Sequence, residues 1–186
     1  MTTELAGPRL EIQVLPSVEA ADAALMTEVA DLINRVYEVG EEGLWQPGAS
    51  RTTVAEVAEL VRAGEIALAR HRGDLVGCVR VQRLDADTGE FGMLAADLDR
   101  RGLGIGRELV QFAENRCRDE GLTSMQLELL VPTTWTHPVK EFLNAWYTRI
   151  GYRVVRSGTI DEAYPSLAPL LATECNFVIY RRSLAS

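Results

Sequence analysis

A run rich in glycine and arginine at residues 100–107 is the part of the sequence with the clearest chemical potential. It reads Arg-Arg-Gly-Leu-Gly-Ile-Gly-Arg, so glycines alternate at positions 102, 104 and 106. A strand-like apolar segment precedes the run, and a helical pattern follows it to about Glu120. At such a loop, unpaired backbone N–H groups meet the positive end of a helix dipole. The sequence therefore predicts an anion-binding loop, with a phosphate group as the simplest ligand.

The spacing of these glycines argues against two familiar nucleotide-binding loops. The run lacks the Gly-Lys-Ser/Thr ending of a Walker loop, and Gly-x-Gly-x-Gly is not the dinucleotide fingerprint. A tight strand-to-helix turn without a ligand is the remaining alternative. We favour phosphate binding because a plain turn rarely needs three glycines flanked by arginines.

The pattern at residues 101–106, Arg-x-x-Gly-x-Gly, resembles the acetyl-CoA pyrophosphate loop of the GNAT N-acetyltransferase superfamily. Two more segments carry the resemblance. Residues 92–95, Gly-Met-Leu-Ala, are similar to a common form of that family's fourth strand. Residues 145–152 are similar to its late helix, which ends in Tyr-x-x-x-Gly-Phe/Tyr. In element order the resemblance extends from Glu11 to Arg182.

The resemblance implies a binding site for acetyl-CoA as co-substrate. Two neighbouring strands, ending near Ala95 and Val131, would splay apart, and the pantetheine arm would enter between them like an added strand. The diphosphate would lie on the glycine loop. The implied cofactor-binding residues are Met93, Leu94, Ala95, Arg100, Arg101, Gly102, Leu103, Gly104, Ile105, Gly106, Arg107 and Asn144.

The resemblance also implies two catalytic residues. Tyr147, four residues before Gly151, lies where the family places the general acid that protonates the departing CoA thiolate. The alternative is that Tyr147 only packs its helix against Leu143. For the base that deprotonates a cationic amine, the candidate is Glu90, although it could also be a solvent-facing strand-end glutamate. Glu128 on the next strand is a weaker candidate.

The loops that would choose the acceptor are less informative. Glu38, Glu41, Glu42 and Trp45 could form a wall for a cationic or aromatic substrate, or they could belong to a solvated acidic loop. His137 could take part in proton transfer, or it could pack beside Pro138. Many family members carry an asparagine seven residues before the tyrosine, where this chain has Lys140. The role of Asn144, three residues before Tyr147, is therefore an open expectation.

The apolar periodicity, together with the resemblance, predicts an α/β fold. We expect a GNAT-like single domain over residues 1–186, with its core at about 10–182, and a twisted mixed, mostly antiparallel sheet of six or seven strands. About four helices should flank the sheet on both faces. Within this fold His71 is expected in a hairpin turn. The helix from about Val139 should bury Val139, Phe142, Leu143, Trp146 and Ile150.

Composition narrows the function further. The formal net charge of −8 disfavours nucleic acid and suits a cationic acceptor, although it could serve only solubility. Three well-separated cysteines are expected to be reduced and buried, and no metal site can be drawn with only two histidines besides. No apolar run approaches the length of a membrane span of ~20 residues, and no leader pattern is recognised, so we expect a cytoplasmic location without membrane partners.

Together these observations predict an N-acetyltransferase that transfers acetyl from acetyl-CoA to a primary amine by direct attack in a ternary complex. A small-molecule acceptor is favoured because the long segment from Ser157 to Glu174 could cover a pocket. A protein N-acetyltransferase, a non-catalytic acyl-CoA sensor and a structural protein on the same scaffold are the alternatives. The sequence is also compatible with a homodimer.

Overall fold

A single seven-stranded sheet is the centre of the molecule in the computed structural model, which describes residues 10–185. The strand order is β1-β2-β3-β4-β5-β7-β6. The pairs are antiparallel except for β4 and β5, which run parallel. The strands are β1 Glu11–Val14, β2 Ile66–His71, β3 Asp74–Arg83, β4 Thr88–Ala96, β5 Ser124–Pro132, β6 Arg153–Thr159 and β7 Cys175–Ser183.

Within residues 10–185, five α-helices and two short 3-10 helices connect the strands. The side chain of Asp22 accepts from the Leu25 N–H at 3.0 Å and caps the first helix, and Thr53 caps the second by accepting from the Glu56 N–H at 3.1 Å. The α-helices are α1 Ala23–Gly40, α2 Val54–Arg62, α3 Ile105–Asp119, α4 Pro138–Arg149 and α5 Ile160–Ala163, and the 3-10 helices are Ser17–Ala21 and Ala168–Leu170.

Two apolar layers cover the two faces of the sheet. On one face α3 buries Leu109, Ala113 and Cys117 at helical spacing against Phe91 and Met125. On the other face α1 and α2 pack on β2, β3 and part of β4. The α/β fold with a mixed sheet and helices on both faces is thus confirmed. Among the helices of residues 10–185, none is long and apolar enough to cross a membrane.

Two details of the sequence prediction are wrong. His71 is buried in β2, because the hairpin turn consists of Arg72 and Gly73 alone, both at positive φ, and His71 pairs with Asp74. Phe142 is 63% exposed on α4, whereas Lys140 and Tyr147 are the buried residues of that helix. The predicted domain also includes residues 1–9 and 186, which lie outside the described residues.

Glycine at position 89 allows α3 to pack closely on β4. A Cβ there would lie 2.4 Å from Cys117 Sγ and 3.3 Å from Leu122 Cδ1. Gly89→Ala should therefore lower the free energy of unfolding by about 1–3 kcal/mol through overpacking. Denaturant unfolding monitored by circular dichroism measures the loss.

Gly92→Ala is the matched control, because a Cβ at that position meets no atom within 4 Å. It should change stability by less than about 0.5 kcal/mol. If the clash with Cys117 is the cause, Cys117→Ala should cost less in the Gly89→Ala background than in the wild type. Additive effects in this double-mutant cycle would contradict the packing argument.

Candidate functional site

The parallel pair of β4 and β5 separates after only a few residues. The strands pair at Thr88 with Ser124, Gly89 with Met125 and Glu90 with Gln126, and not beyond. Past this point β4 continues to Ala96 beside β3, and β5 continues to Pro132 beside β7. The predicted splaying of these two strands is therefore present. It leaves two facing strand edges whose backbone groups can pair with an extended ligand.

A bulge in β4 changes which way its residues face. Met93 has φ +46° in the middle of the strand, and the register with β3 shifts between Cys78 and Arg80. Strand alternation would place Phe91 and Met93 in the same layer. Instead Phe91 packs with α3 and Met93 packs with α1 and α2. This backbone conformation costs about 1–3 kcal/mol, and the burial of Met93 at 1% exposure helps to maintain it.

The glycine loop leads from the end of β4 into α3. Gly104 adopts φ +68° at the N-cap position, and the first helical bond runs from the Glu108 N–H to the Gly104 carbonyl at 3.0 Å. Within residues 10–185, the N–H groups of Ile105, Gly106 and Arg107 donate to no protein group. The predicted loop therefore presents free donors at a helix N-terminus, as anion binding requires.

The three arginines of the loop differ in how free they are. Arg100 pairs with Asp74 at 2.8 Å, and Arg107 lies 3.6 Å from Glu108. Arg101 is exposed and makes no hydrogen bond or ion pair within the described part of the chain. Arg101 is thus the cation most available to a bound anion.

Tyr147 combines a buried ring with a hydroxyl that has no hydrogen-bond partner among residues 10–185. The ring lies among Phe91 at 6.1 Å, Tyr152 at 6.1 Å and Tyr180 at 6.3 Å between centroids. In the described chain the hydroxyl makes no hydrogen bond, and it is not among the polar atoms sealed from solvent. Burial raises the pKa of Tyr147, and the nearby Tyr37 and Tyr180 raise it further. Tyr147 therefore stays protonated near neutral pH.

Tyr37 was not recognised from the sequence as part of this site. It lies on α1, on the opposite face of the sheet from Tyr147, yet it is close enough to raise the pKa of Tyr147. The guanidinium of Arg51 lies 5.2 Å from the centroid of the Tyr37 ring. Burial raises the pKa of Tyr37 to about 12, and Arg51 opposes this shift. The two tyrosines place groups from both layers beside the separated strands.

Two glutamates lie at the point where β4 and β5 separate. Glu90 is only 7% exposed, so the solvent-facing alternative is wrong. The Nε2 groups of Gln82 and Gln126 each donate to Glu90 at 2.8 Å, which satisfies the carboxylate inside the protein. Glu128 lies beside Glu90, and the Tyr164 hydroxyl donates to it at 2.9 Å. The structure thus joins the two carboxylates that the sequence offered as separate candidates.

The surroundings of Glu128 raise the pKa of its carboxyl group well above that of an ordinary glutamate. Burial is the main cause that raises the pKa of Glu128 to about 7, and the charge of Glu90 adds to it. Gln126, Gln82 and Tyr164 had no role in the sequence prediction. The only local signal was Gln126, a polar residue within an apolar strand pattern.

Glu41 does not offer the free carboxylate that the acidic-wall interpretation requires. Its Oε1 binds Lys140 Nζ at 2.9 Å, and its Oε2 accepts from Trp45 Nε1 at 2.6 Å. Lys140 is 4% exposed and lies on α4, so the pair is a buried link between α1 and α4. Lys140, at the position where many family members carry an asparagine, therefore connects two helices.

His137 and Asn144 have structural partners. His137 is buried, and its Nδ1 accepts from the Val139 N–H at 3.2 Å, which caps α4. Its ring stacks beside Trp135 at 5.3 Å. These contacts favour the packing interpretation of His137. The Asn144 carbonyl oxygen accepts from the Tyr180 hydroxyl at 2.7 Å, and its role toward a cofactor stays a prediction.

A shallow groove of about 670 Å³ lies along the chain between β6 and β7, lined by residues from Thr159 to Cys175. Neither Glu90 nor Glu128 lines it. The groove and the opening between β4 and β5 are therefore separate features of the molecule.

A comparison of sequences identifies the family. A model of the Acetyltransferase (GNAT) family matches residues 27–143. Because the match covers more than half of the chain, the protein belongs to the GNAT acetyltransferase family, whose reaction is acetyl transfer from acetyl-CoA. Comparison with curated protein sequences gave no match.

Solved structures support the fold. N-acetylglutamate synthase from Neisseria gonorrhoeae, complexed with coenzyme A and N-acetyl-glutamate, has a TM-score of 0.61 at 22% identity over 95% of this chain, which spans only 35% of that protein. Ard1 from Thermoplasma volcanium has a TM-score of 0.65 at 15% identity, covering 95% of this chain and 99% of its own. An aminoglycoside 6'-N-acetyltransferase complexed with coenzyme A has a TM-score of 0.66 at 16% identity, covering 88% and 92%.

The buried Lys140–Glu41 pair generates a stability prediction. Lys140→Met leaves the Glu41 carboxylate at 11% side-chain exposure without its cation, and it should lower the free energy of unfolding by about 3–5 kcal/mol. Urea unfolding followed by intrinsic fluorescence measures the loss. The double variant Lys140→Met with Glu41→Gln removes both charges and should recover most of it. A single variant as stable as the wild type would contradict the assigned pairing.

Proposed function

We propose that the protein is an N-acetyltransferase that transfers an acetyl group from acetyl-CoA to a primary amine by direct attack in a ternary complex. The observation that carries the proposal is the opening between β4 and β5. It begins where Glu90 pairs with Gln126, and the strand edge of β4, the free N–H donors and the Arg101 charge follow one another along the chain. These features match the chemistry of an extended arm that ends in a diphosphate.

The fit to acetyl-CoA rests on residues of this chain. The free edge of β4 around Leu94 and Ala95 would hold the pantetheine arm, and the N–H groups of Ile105, Gly106 and Arg107 would hold the diphosphate. Structural neighbours complexed with coenzyme A or acetyl-CoA support the same assignment. Bound there, acetyl-CoA supplies a thioester carbonyl for the amine to attack and a thiol as leaving group.

Gly104→Ala tests the phosphate loop. The φ of +68° at Gly104 is strained for alanine, so the substitution should displace the N–H donors and weaken acetyl-CoA binding at least tenfold. Isothermal titration calorimetry measures the affinity.

Gly106→Ala is the matched control for this test. Gly106 has no positive φ, and a Cβ there lies at an ordinary 3.7 Å from Trp146 Cη2. It should bind acetyl-CoA within about threefold of the wild type. Equal binding by all three proteins would remove the loop from the proposed site, and no binding by the wild type would remove acetyl-CoA.

The chemistry requires an ammonium group to lose two protons as it becomes an amide. One proton leaves before attack, because only the neutral amine is a nucleophile, and the other is available to the departing sulfur. Tyr147 is proposed to donate to this sulfur. A free thiol has a pKa of about 8.5, and the pKa of Tyr147 is raised, so a lasting tyrosinate is unfavourable. Tyr147 would therefore donate its proton to the sulfur only while the attacking nitrogen gives a proton back to the Tyr147 oxygen.

Tyr147→Phe tests this role. It keeps the buried ring among its aromatic neighbours and removes only a hydroxyl that has no partner in the described chain. We expect kcat to fall about 10²-fold, with acetyl-CoA affinity changed by less than about twofold. Thiol release with a chromogenic thiol reagent measures kcat. Unchanged turnover would remove Tyr147 from the mechanism.

The acceptor is proposed to be a small cationic molecule. The net charge of −8 favours the approach of a cation. The carboxylates Glu90 and Glu128 lie at the start of the opening, and an aminoglycoside acetyltransferase is among the structural neighbours. We propose a cytoplasmic location, as expected for an enzyme that uses intracellular acetyl-CoA. Thiol release in the presence of amines separates this function from that of a sensor, which would bind acetyl-CoA without turnover.

A further inference from the structure

We propose that Glu128, rather than Glu90, takes the proton from the acceptor amine, and that Tyr164 is the residue that positions Glu128. This inference rests on the proposed function and deepens it. It places the acceptor amine on the α1 and α2 face of the sheet, between the start of the β4–β5 opening and the chain that joins β6 to β7.

The hydrogen bonds of Glu90 argue against its use as the base. Its Oε1 accepts from Gln82 and its Oε2 accepts from Gln126, each at 2.8 Å, and the side chain is buried. Gln126 is itself fixed, because Arg181 donates to its Oε1 at 2.9 Å. Each oxygen of Glu90 therefore already accepts one amide N–H, and these two bonds hold the carboxylate in place inside the protein. Glu90 supplies a fixed negative charge rather than a free base.

Glu128 has the opposite arrangement. It is half-buried on β5, and in the described chain the Tyr164 hydroxyl is its hydrogen-bond donor, at 2.9 Å to Oε2. Its neighbours Leu127 and Leu129 pack in the α3 layer, so strand alternation places Glu128 on the other face, as it does Glu90 beside Phe91. On that face Glu128 lies within hydrogen-bond reach of Glu90, so its protonated form can donate to Glu90 and its ionised form can accept from an amine.

The charges around Glu128 suit a base that works near neutral pH. Burial, the Glu90 charge on β4 and a hydrogen bond to Glu90 favour the protonated form of Glu128, whereas Tyr164 and Arg51 on the loop after α1 favour the carboxylate. The balance leaves Glu128 with a pKa of about 7, against 4.5 for an ordinary glutamate. Such a base accepts a proton from an ammonium group far more readily than an exposed carboxylate does.

Tyr164 is anchored independently of its hydroxyl. Its ring packs edge-on against Phe177 of β7 at 5.3 Å and 81°. Its N–H donates to the Ile160 carbonyl at 2.7 Å, and Ile160 is buried beside Leu44 and Leu130. The segment between β6 and β7 thus brings a fixed hydroxyl to Glu128. Removal of the hydroxyl alone should leave the segment folded.

Glu128 takes the first of the two protons that the ammonium group loses. An N–H bond of the ammonium breaks and an O–H bond forms on Glu128, which leaves the electron pair on nitrogen. That pair forms the C–N bond as the C–S bond breaks. The second proton lost by nitrogen goes to sulfur with the help of Tyr147, and Glu128 returns its proton to solvent. The net products are an amide, a thiol and one released proton.

The test compares the wild type with Glu128→Gln, Glu90→Gln and Tyr164→Phe, and uses Glu59→Gln, an exposed change on α2, as the control. The specificity constant kcat/KM for the amine is measured from pH 5.5 to 9 with saturating acetyl-CoA. The amine is whichever of kanamycin, spermidine or glycinamide gives the fastest thiol release. Each protein labelled with ¹³C at glutamate Cδ is also titrated by NMR without acetyl-CoA, so that the carboxyl is followed independently of activity.

We expect Glu128→Gln to lose about 10²-fold in kcat/KM at pH 7, together with the acidic limb of the profile and the NMR titration near pH 7. Glu90→Gln should keep the limb but move it to lower pH, because a charge that raises the pKa of Glu128 is removed. Tyr164→Phe should move the limb to higher pH, because the hydrogen bond that favours the carboxylate is lost. Glu59→Gln should match the wild type.

Several outcomes would overturn the inference. If the acidic limb of the pH profile survives in Glu128→Gln, Glu128 is not the base. The same conclusion holds if the limb also disappears in Glu90→Gln. If Tyr164→Phe shifts neither the limb nor the NMR titration, Tyr164 does not position Glu128. These results leave the proposed function intact. An absence of thiol release by the wild type with all three amines would instead overturn the proposed function, and this inference with it.

Discussion

The short pairing between β4 and β5 is the constraint on which the rest of the site depends. The two strands share register only from Thr88 to Glu90, and β4 then leaves its neighbour while it stays paired with β3. An opening inside a sheet exposes backbone groups that would ordinarily pair, which is unfavourable unless a ligand or solvent satisfies them. To keep such an opening, each of the two strands must be fixed by contacts on the side that faces away from the opening.

The two halves of the sheet provide that support. β5 is paired with β7 along its whole length, from Ser124 to Pro132, so its far end cannot move toward β4. β4 is held by β3 and by the two apolar layers, and the Met93 bulge divides its side chains between them. The Glu41–Lys140 pair joins α1 to α4, which lie on opposite faces. These contacts keep the opening in place and bring Tyr37 and Tyr147 to it from both sides.

The electrostatics follow from the same geometry. Where β4 and β5 are still paired, the Glu90 and Gln126 side chains are neighbours, and Glu128 is the next residue of β5 on that face. A carboxylate whose oxygens are both occupied therefore lies beside one that is not. Burial raises the pKa of Glu128 most, and the Glu90 charge beside it raises the pKa further. The opening thus begins at a group suited to proton exchange near neutral pH.

The amino-acid sequence by itself determined the local features of this protein. The glycine run, the helix caps and the apolar periodicities depend on residues close in the chain, and they predicted the anion loop, the order of elements and the α/β fold. The role of Tyr147 was implied by the family resemblance of the segment that ends at Tyr152, and it stays a prediction. Only the tertiary structure decided which distant side chains meet. The partners of Glu90, the burial of Lys140 against Glu41 and the contact of Tyr164 with Glu128 all depend on strand register and packing across the sheet. Because side chains separated by tens of residues leave no periodic pattern, their pairing could not be predicted from the sequence.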